Sequence, residues 1–234
     1  MSGRDVFLKY YERAKEEGRN FLLEDEAREV CLAYGIPVPD GGFARDKEEA
    51  LNLARRVGYP VVLKIVSPQV LHKSDVGGVK VGISDDEGLS KSFDEMISKV
   101  KESIPQAEIR GVLVSKMAGK GIETIIGMKK DRIFGPVVMF GIGGIFVEVY
   151  KDVSFRVCPV SDAEVEEMMR EIKGFKLLEG FRGLPKANLE ELKNVIQKTC
   201  WLASENLEIG SIDLNPTLVN EKGALALDTR IIIS

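Results

Sequence analysis

Residues 58–79 read GYPVVLKIVSPQVLHKSDVGGV. Gly58 ends a helical pattern, and Tyr59-Pro60 leads into Val61-Val62-Leu63-Lys64-Ile65-Val66. This run is short, β-branched and almost wholly apolar, which predicts a strand buried on both faces. A polar loop follows from Ser67 to Asp75, and Gly77-Gly78 turns the chain into a second strand, Val79-Lys80-Val81-Gly82. Two side chains in this stretch carry chemistry. Lys64 stands inside the apolar run, where a charge is costly unless it is paired or serves a ligand. Its amine either neutralises a phosphate as a point charge or sits at the strand's end and snorkels to water. The pattern leaves those two readings level. His72 is the only histidine of the chain. Imidazole serves as a base, a metal ligand or a phosphoryl-accepting nucleophile, and with no second histidine to join it a metal role is disfavoured. A solvent-exposed loop histidine is the plain alternative.

The pattern outward from this stretch alternates helices and strands. Residues 22–34 read as a helix through Leu23, Ala27, Val30, Cys31 and Tyr34, stopped by Gly35 and kept from resuming by Pro37 and Pro39. Asp46 with Glu49 opens a helix that runs to Val57. Residues 86–101 form another, amphipathic through Leu89, Phe93, Met96, Ile97 and Val100. A charged helix over 4–17 reads as peripheral, because its apolar stripe is narrow. After Pro105 the pattern becomes successive strands at 111–117, 123–128 and 136–140. Ser161/Glu164 and Asn188/Glu191 open two more helices, and the chain ends in short strands at 209–214, 217–220, 224–228 and 231–233. The organisation is therefore two α+β lobes, 22–104 and 110–234, after an N-terminal extension, 1–21. Clefts between lobes commonly take small ligands.

Composition sets the outer bounds. The chain has 234 residues, a net charge of −4 and 44% hydrophobic residues. It is long enough to bury a core without staples, is not disordered by composition, and is too acidic for a dedicated nucleic-acid binder. No apolar run approaches the roughly 20 residues of a membrane span. Cys31, Cys158 and Cys200 are three in number and widely spaced, so they suggest no disulfide framework and point to a reducing cytoplasm.

Two glycine-rich turns, Gly77-Gly78 and Gly141-Ile142-Gly143-Gly144, let backbone N–H groups converge on a phosphate. Neither is a Walker A or GxGxxG sequence, and each alone is weak. The C-terminal Asp213-Leu214-Asn215-Pro216 is more specific, since period two puts Asp213 and Asn215 on one face. If the following strand pairs back through the turn at 220–223, Asp228 comes near Asn215. Two carboxylates and an amide oxygen suit Mg²⁺ with phosphate oxygens completing the shell. A turn at Asn215-Pro216 and a surface Asp228 is the alternative. Glu148 and Arg156 alternate with apolar residues, as in a half-exposed hairpin or a cleft wall.

The strings Tyr34-Gly35-Ile36-Pro37-Val38-Pro39, Gly58-Tyr59-Pro60-Val61-Val62-Leu63-Lys64-Ile65 and His72-Lys73-Ser74-Asp75-Val76-Gly77-Gly78-Val79 resemble the ATP-grasp β subunit of ADP-forming acyl-CoA synthetases. So do residues 134–148 (FGPVVMFGIGGIFVE) and Ile212-Asp213-Leu214-Asn215-Pro216. The motifs stand in the family's order from about residue 22 to the end, and succinyl-CoA synthetase β chains are more distant relatives. The resemblance implies an ATP-grasp fold of two lobes with the nucleotide site in the cleft between them. It implies the reaction acyl-CoA + ADP + phosphate ⇌ acid + CoA + ATP, shared with a separate CoA-binding α subunit, as an α₂β₂ heterotetramer in the cytoplasm. By the same resemblance His72 relays a phosphoryl group to ADP, on a 67–78 loop expected to take two docked positions. Lys64 holds nucleotide phosphates, and Gly77, Gly78 and Val79 supply donors to the terminal phosphate. Ser115, Lys116 and Met117 form the adenine hinge, and Glu123 follows it to meet a ribose hydroxyl or Lys64. Gly143 and Gly144 cradle the travelling phosphate, Arg156 is a further cofactor-binding candidate, and Asp213, Asn215 and Asp228 bind Mg²⁺. Ser211 replaces the family's Glu, and Glu208 is a candidate substitute. Two other functions compete: a different ATP-grasp carboxylate ligase, and a non-catalytic ATP-binding regulatory subunit.

Overall fold

The computed structural model describes residues 1–70, 72–144, 147, 150–181 and 186–234. Glu148, singled out above, lies outside the described residues. The chain divides into two compact units: residues 1–22, 26–38 and 119–234, and residues 23–25 and 39–118.

The smaller unit is built on an antiparallel sheet of four strands, β1 (Gly41–Ala44), β2 (Val61–Val66), β3 (Val79–Ile83) and β4 (Gly111–Lys116), in the order β1-β4-β2-β3. Helices Lys47–Val57 and Asp86–Ser103 supply Ala50, Leu53, Ala54, Leu89, Met96 and Val100 to its core. Asp46 and Asp85 cap them through Glu49 N–H and Gly88 N–H, the first-turn chemistry that the sequence advertises. Strand β2 differs from the expectation of two buried faces. Val61, Leu63 and Ile65 are buried, while Val62 and Lys64 are only partly covered. The helices pack one side of the sheet, and period two therefore leaves Lys64 on the other. Gly41 is required by close approach: a Cβ there would lie 2.0 Å from the Val114 carbonyl oxygen of the paired strand.

The larger unit holds a six-stranded antiparallel sheet: β5 (Ile122–Asp131), β6 (Gly135–Ile142), β7 (Val153–Val157), β8 (Ile209–Asn220), β9 (Gly223–Ala226) and β10 (Arg230–Ile233). Its order is β10-β8-β5-β6-β7, with β9 also pairing β8. The C-terminal strands expected at 209–214 and 217–220 are one strand. The register against β5 shifts between Thr124 and Ile126, opposite residues 215–216, so the Asn215-Pro216 break is absorbed as a bulge. Helix Leu189–Glu205 buries Leu192, Val195, Ile196, Thr199, Leu202 and Ala203, the face read from its periodicity.

Three expectations are corrected in this unit. The N-terminal helix, Gly3–Glu16, is not peripheral: Phe7 and Ala14 are fully buried in the unit's core. Val6, Leu8, Tyr10 and Tyr11 also pack, partly buried, against that core. The unit boundaries also differ from 22–104 and 110–234. Strand β4 pairs between β1 and β2 and so belongs to the smaller unit through Ala118, whereas Ala27, Val30, Cys31 and Tyr34 pack in the larger unit's core. Finally, Cys158 and Cys200 form a disulfide across 42 residues, with Cα atoms 5.3 Å apart. Wide sequence spacing hid this pair, which only tertiary packing brings together. Such bonds occur inside hyperthermophile cells as well as outside cells. Among the described residues no helix is long and apolar enough to cross a membrane.

Candidate functional site

In the smaller unit, Lys64 sits mid-strand with little of its side chain exposed. Its Nζ lies 2.5 Å from Glu24 Oε1, and Lys73 Nζ lies 2.8 Å from Glu24 Oε2. Burial alone would raise the Glu24 carboxyl, but the two ammonium groups hold it below the usual carboxylate range. Lys64 therefore does not snorkel. Its ammonium is turned to a buried carboxylate, and that partner, Glu24, is one the sequence reading did not single out. Its only signal was an acidic residue at the start of an amphipathic helix, which normally means a favourable helix terminus.

Lys73 adjoins His72, which is exposed. The stretch Ser74–Val76 makes a single 3₁₀ turn closed by Gly77, whose φ is 71°. Gly77 N–H donates to Ser74 O (3.2 Å) and Gly78 N–H to Lys73 O (2.7 Å). Ile65 N–H donates to Gly78 O at 2.8 Å, and a Cβ on Gly78 would sit 2.6 Å from Ile65 Cγ2. The segment is thus pressed against β2, and Val79 pairs directly across from Lys64. The expected phosphate donors Gly77 and Gly78 spend their N–H groups on this turn, so in this conformation they are not aimed at a ligand.

The hinge residues Ser115, Lys116 and Met117 end β4. The Lys116 side chain is structural: its Nζ donates to the carbonyls of Gly58 and Tyr59, each at 2.7 Å. Lys116 N–H donates to Asp40 O and Met117 N–H to Pro60 O. Met117 itself is 41% exposed. Any adenine contact here falls to carbonyl oxygens and the Met117 thioether.

In the larger unit, one row of cross-strand partners runs Arg230, Asp213, Gly127, Met139, Phe155 across five strands. Asp213 is half-buried, and Asn215 is exposed on the same side of β8. Strand β9 returns as expected, with Thr217 opposite Ala226 and Leu227 N–H donating to Pro216 O at 2.9 Å. This brings Asp228 back beside the Asn215-Pro216 bulge. The Asp213 carboxyl is pushed up, first by burial and then by the charge of Asp228, with Arg230 pulling the other way. Two carboxylates that repel each other, one of them half-buried, are what a divalent cation relieves. The donor set fits Mg²⁺ as far as it goes. Among the described residues no group of three or more His, Cys, Asp or Glu stands together that could hold a metal by itself. Arg230, which the sequence reading missed, adds a cation opposite Asp213.

Other expected members stand elsewhere. Arg156 pairs with Val138, in the row whose β6, β5 and β8 members, Val138, Met128 and Ile212, are core residues. Its guanidinium is held by Glu171 at 2.5 and 3.0 Å. A residue one step along a strand from Phe155 faces the opposite side of the sheet from Asp213, so Arg156 is a brace for helix Asp162–Glu171. Glu208 is bound by Arg4 at 3.1 Å and does not substitute for the missing acid at Ser211. Glu123 is exposed, and its carbonyl accepts from Gly143 N–H at 2.8 Å. Gly144 has φ 64° and open space where a Cβ would stand.

These sheets, a largely covered lysine on one and a carboxylate–amide cluster on the other, define a nucleotide-dependent ligase fold, and the chain belongs to the ATP-grasp family, whose domain matches residues 13–233. Within it the chain is 48% identical, over 95% of each chain, to the β subunit of acetate–CoA ligase [ADP-forming] I from Pyrococcus furiosus. The dinucleotide-forming acetyl-coenzyme A synthetase 1 of Ca. Korarchaeum cryptofilum is similar over the whole of both chains. One solved structure of it, with coenzyme A, acetyl-coenzyme A and a phosphorylated phosphohistidine segment in the site I orientation, matches with a TM-score of 0.91 at 48% identity. Another, with coenzyme A and Mg-AMPPCP and the phosphohistidine segment pointing towards the nucleotide-binding site, matches with a TM-score of 0.86 at 46% identity.

Proposed function

We propose that this chain is the nucleotide-binding β subunit of an ADP-forming acyl-CoA synthetase of the acetate type, and that His72 carries its phosphoryl group. The observation that carries the reading is the segment around His72. An exposed imidazole is followed directly by Lys73, pinned to Glu24, and Glu24 also pins Lys64. A nucleophile beside two lysine side chains gathered on one buried carboxylate suits the acceptance and release of a phosphoryl group.

In the ATP-forming direction an imidazole nitrogen of His72 forms a P–N bond to the phosphoryl group as the bond from phosphorus to its carrier on the α subunit breaks and that carrier keeps the electron pair. The P–N bond then breaks as a terminal phosphate oxygen of ADP forms the new P–O bond, and the nitrogen recovers its lone pair. Lys64 neutralises phosphate charge through this transfer. Met117 and the carbonyls at 115–117 receive the adenine. Asp213, Asn215 and Asp228 hold Mg²⁺, which when bound screens the charge between the phosphates. The two segment orientations described for the Korarchaeum enzyme support a segment that visits two sites here as well. CoA binding belongs to the α subunit, because no CoA-binding fingerprint stands in this sequence. We assign an α₂β₂ assembly and a cytoplasmic location on the same footing.

Labelling tests this. The chain, alone and with its α subunit, is incubated with γ-labelled ATP and Mg²⁺ and assayed for acid-labile, base-stable phosphate. Label present in the wild type and absent from His72→Ala supports the relay. A fully active His72→Ala enzyme would instead mark a carboxylate ligase without a phosphohistidine. ATP binding with no label, even with the partner present, would mark a regulatory subunit.

A further inference from the structure

Glu24 takes no part in the chemistry proposed above, yet it is buried and neutralised twice. Its side chain is 4% exposed, while those of Lys64 and Lys73 are 13% and 18% exposed. One buried carboxylate needs one cation to avoid the cost of an isolated charge. Glu24 has two. Lys64 is fixed, because it stands in the middle of β2 between β3 and β4. Lys73 stands outside any strand, in the turn that bears His72, so it is the cation that moves when the segment moves. Its departure would still leave Glu24 paired with Lys64. Conversely, when phosphate draws on Lys64, Lys73 can keep Glu24 paired.

We propose that Glu24 is a positioning residue for the histidine segment: its carboxylate docks the segment on β2 through Lys73 and lets it go because Lys64 remains as counter-ion. This rests on the reading of His72 as phosphoryl carrier. It adds a tether that sets how often the imidazole stands beside the phosphate-binding lysine. The tether acts through a charge pair, so it needs the charge of Lys73 and not its shape.

The complex of this chain with its α subunit carries the test, in wild-type, Glu24→Gln, Lys73→Met, Lys73→Arg and Glu24→Gln/Lys73→Met forms. Two readouts are taken: the rate of labelling from γ-labelled ATP, and the rate of tryptic cleavage after residue 73 in the unlabelled complex, with melting temperature as control. We expect Lys73→Met and Glu24→Gln each to slow labelling roughly ten- to a hundredfold, the scale on which misplacing a reacting group slows a step. In Lys73→Met the KM for ATP should stay within about threefold, since Lys64 keeps its Glu24 partner there and substrate binding is not what is lost. The double variant should lose no more than the worse single one, and Lys73→Arg should label close to the wild-type rate. Glu24→Gln should speed cleavage after Lys73. Wild-type labelling by Lys73→Met, or losses that multiply in the double variant, would overturn the tether. If Glu24→Gln fails to fold, Lys73→Met against Lys73→Arg decides alone. Faster cleavage in Glu24→Gln together with label that survives His72→Ala would uphold the tether and overturn the relay, so the two failures are told apart.

Discussion

Asp213 is held in a state that it does not favour by itself. Burial and the neighbouring charge of Asp228 raise its carboxyl above the ordinary value of 3.8. A raised acid contributes stability below its unfolded value and loses it as pH climbs through its folded value. The contribution of Asp213 to the stability of the metal-free protein should therefore fall as pH rises from the ordinary carboxylate range, against the opposite trend of carboxyls held low such as Glu24 and Asp86, and Mg²⁺ with nucleotide should offset the Asp213 loss. The stability difference between Asp213→Asn and the wild type should move in favour of the variant as pH rises, leaving the metal-free variant at least as stable as the wild type at pH 7. It should also weaken the Mg²⁺-dependent part of nucleotide affinity by roughly tenfold or more, the scale of disturbing a metal site. Denaturant melts across pH and calorimetric titration with and without Mg²⁺ measure both. A less stable metal-free variant would show that the two carboxylates are not in conflict. Glu24 and Glu26 make a parallel case two residues apart. Glu26 is fully buried and bound by Arg19 at 2.8 and 3.0 Å, whereas Glu24 serves two lysines. Residue type alone does not separate a brace from a tether.

At the scale of elements, the helix periods and caps were legible. Asp46, Ser161 and Asn188 all cap as their spacing says, because capping is a local bond within four residues. Pairings across the chain were not legible, and the disulfide is the sharpest instance. It joins the chain just after β7 to the middle of helix Leu189–Glu205. Closing a loop of 42 residues is worth about 4 kcal/mol on chain-entropy grounds. For a chain of this length that corresponds to a melting temperature lower by on the order of 10 °C in the reduced protein or in Cys200→Ser. Calorimetry with and without reductant reads it directly. An unchanged melting temperature would mean that the two thiols are not bonded in solution. The β8 strand shows the same limit. Asn215-Pro216 reads as a break, and only the pairing with β5 turns it into a bulge that keeps Asp213 and Asn215 on one side.

The N-terminal helix has its consequence at the scale of the whole molecule. A narrow stripe on a charged helix reads as dispensable, yet Phe7 fills the larger unit's core, while Arg4 binds Glu208 and Arg13 reaches Glu26. Phe7→Ala should cost about 3–5 kcal/mol, as for other buried aromatic truncations, and so lower the melting temperature of the full chain by on the order of 10 °C. A shift below about 2 °C would be within the effect of an ordinary surface change and would return the helix to the periphery.

The sequence by itself determined what depends on near neighbours. It carried the helix caps, the strand alternation, the loop that places His72 after β2, and the motif order that reveals the ATP-grasp family. It also put Asp213 and Asn215 on one face, since side-chain alternation is local. Tertiary structure alone decided the partners of the charges. Lys64 goes to Glu24 across 40 residues, Arg156 to Glu171 and away from the Asp213 face, Lys116 to the Gly58 and Tyr59 carbonyls, and Cys158 to Cys200. The physical reason is that a buried charge or thiol is satisfied by whatever the fold brings within about 3 Å, and that neighbour is chosen by sheet order and register, which no local pattern encodes.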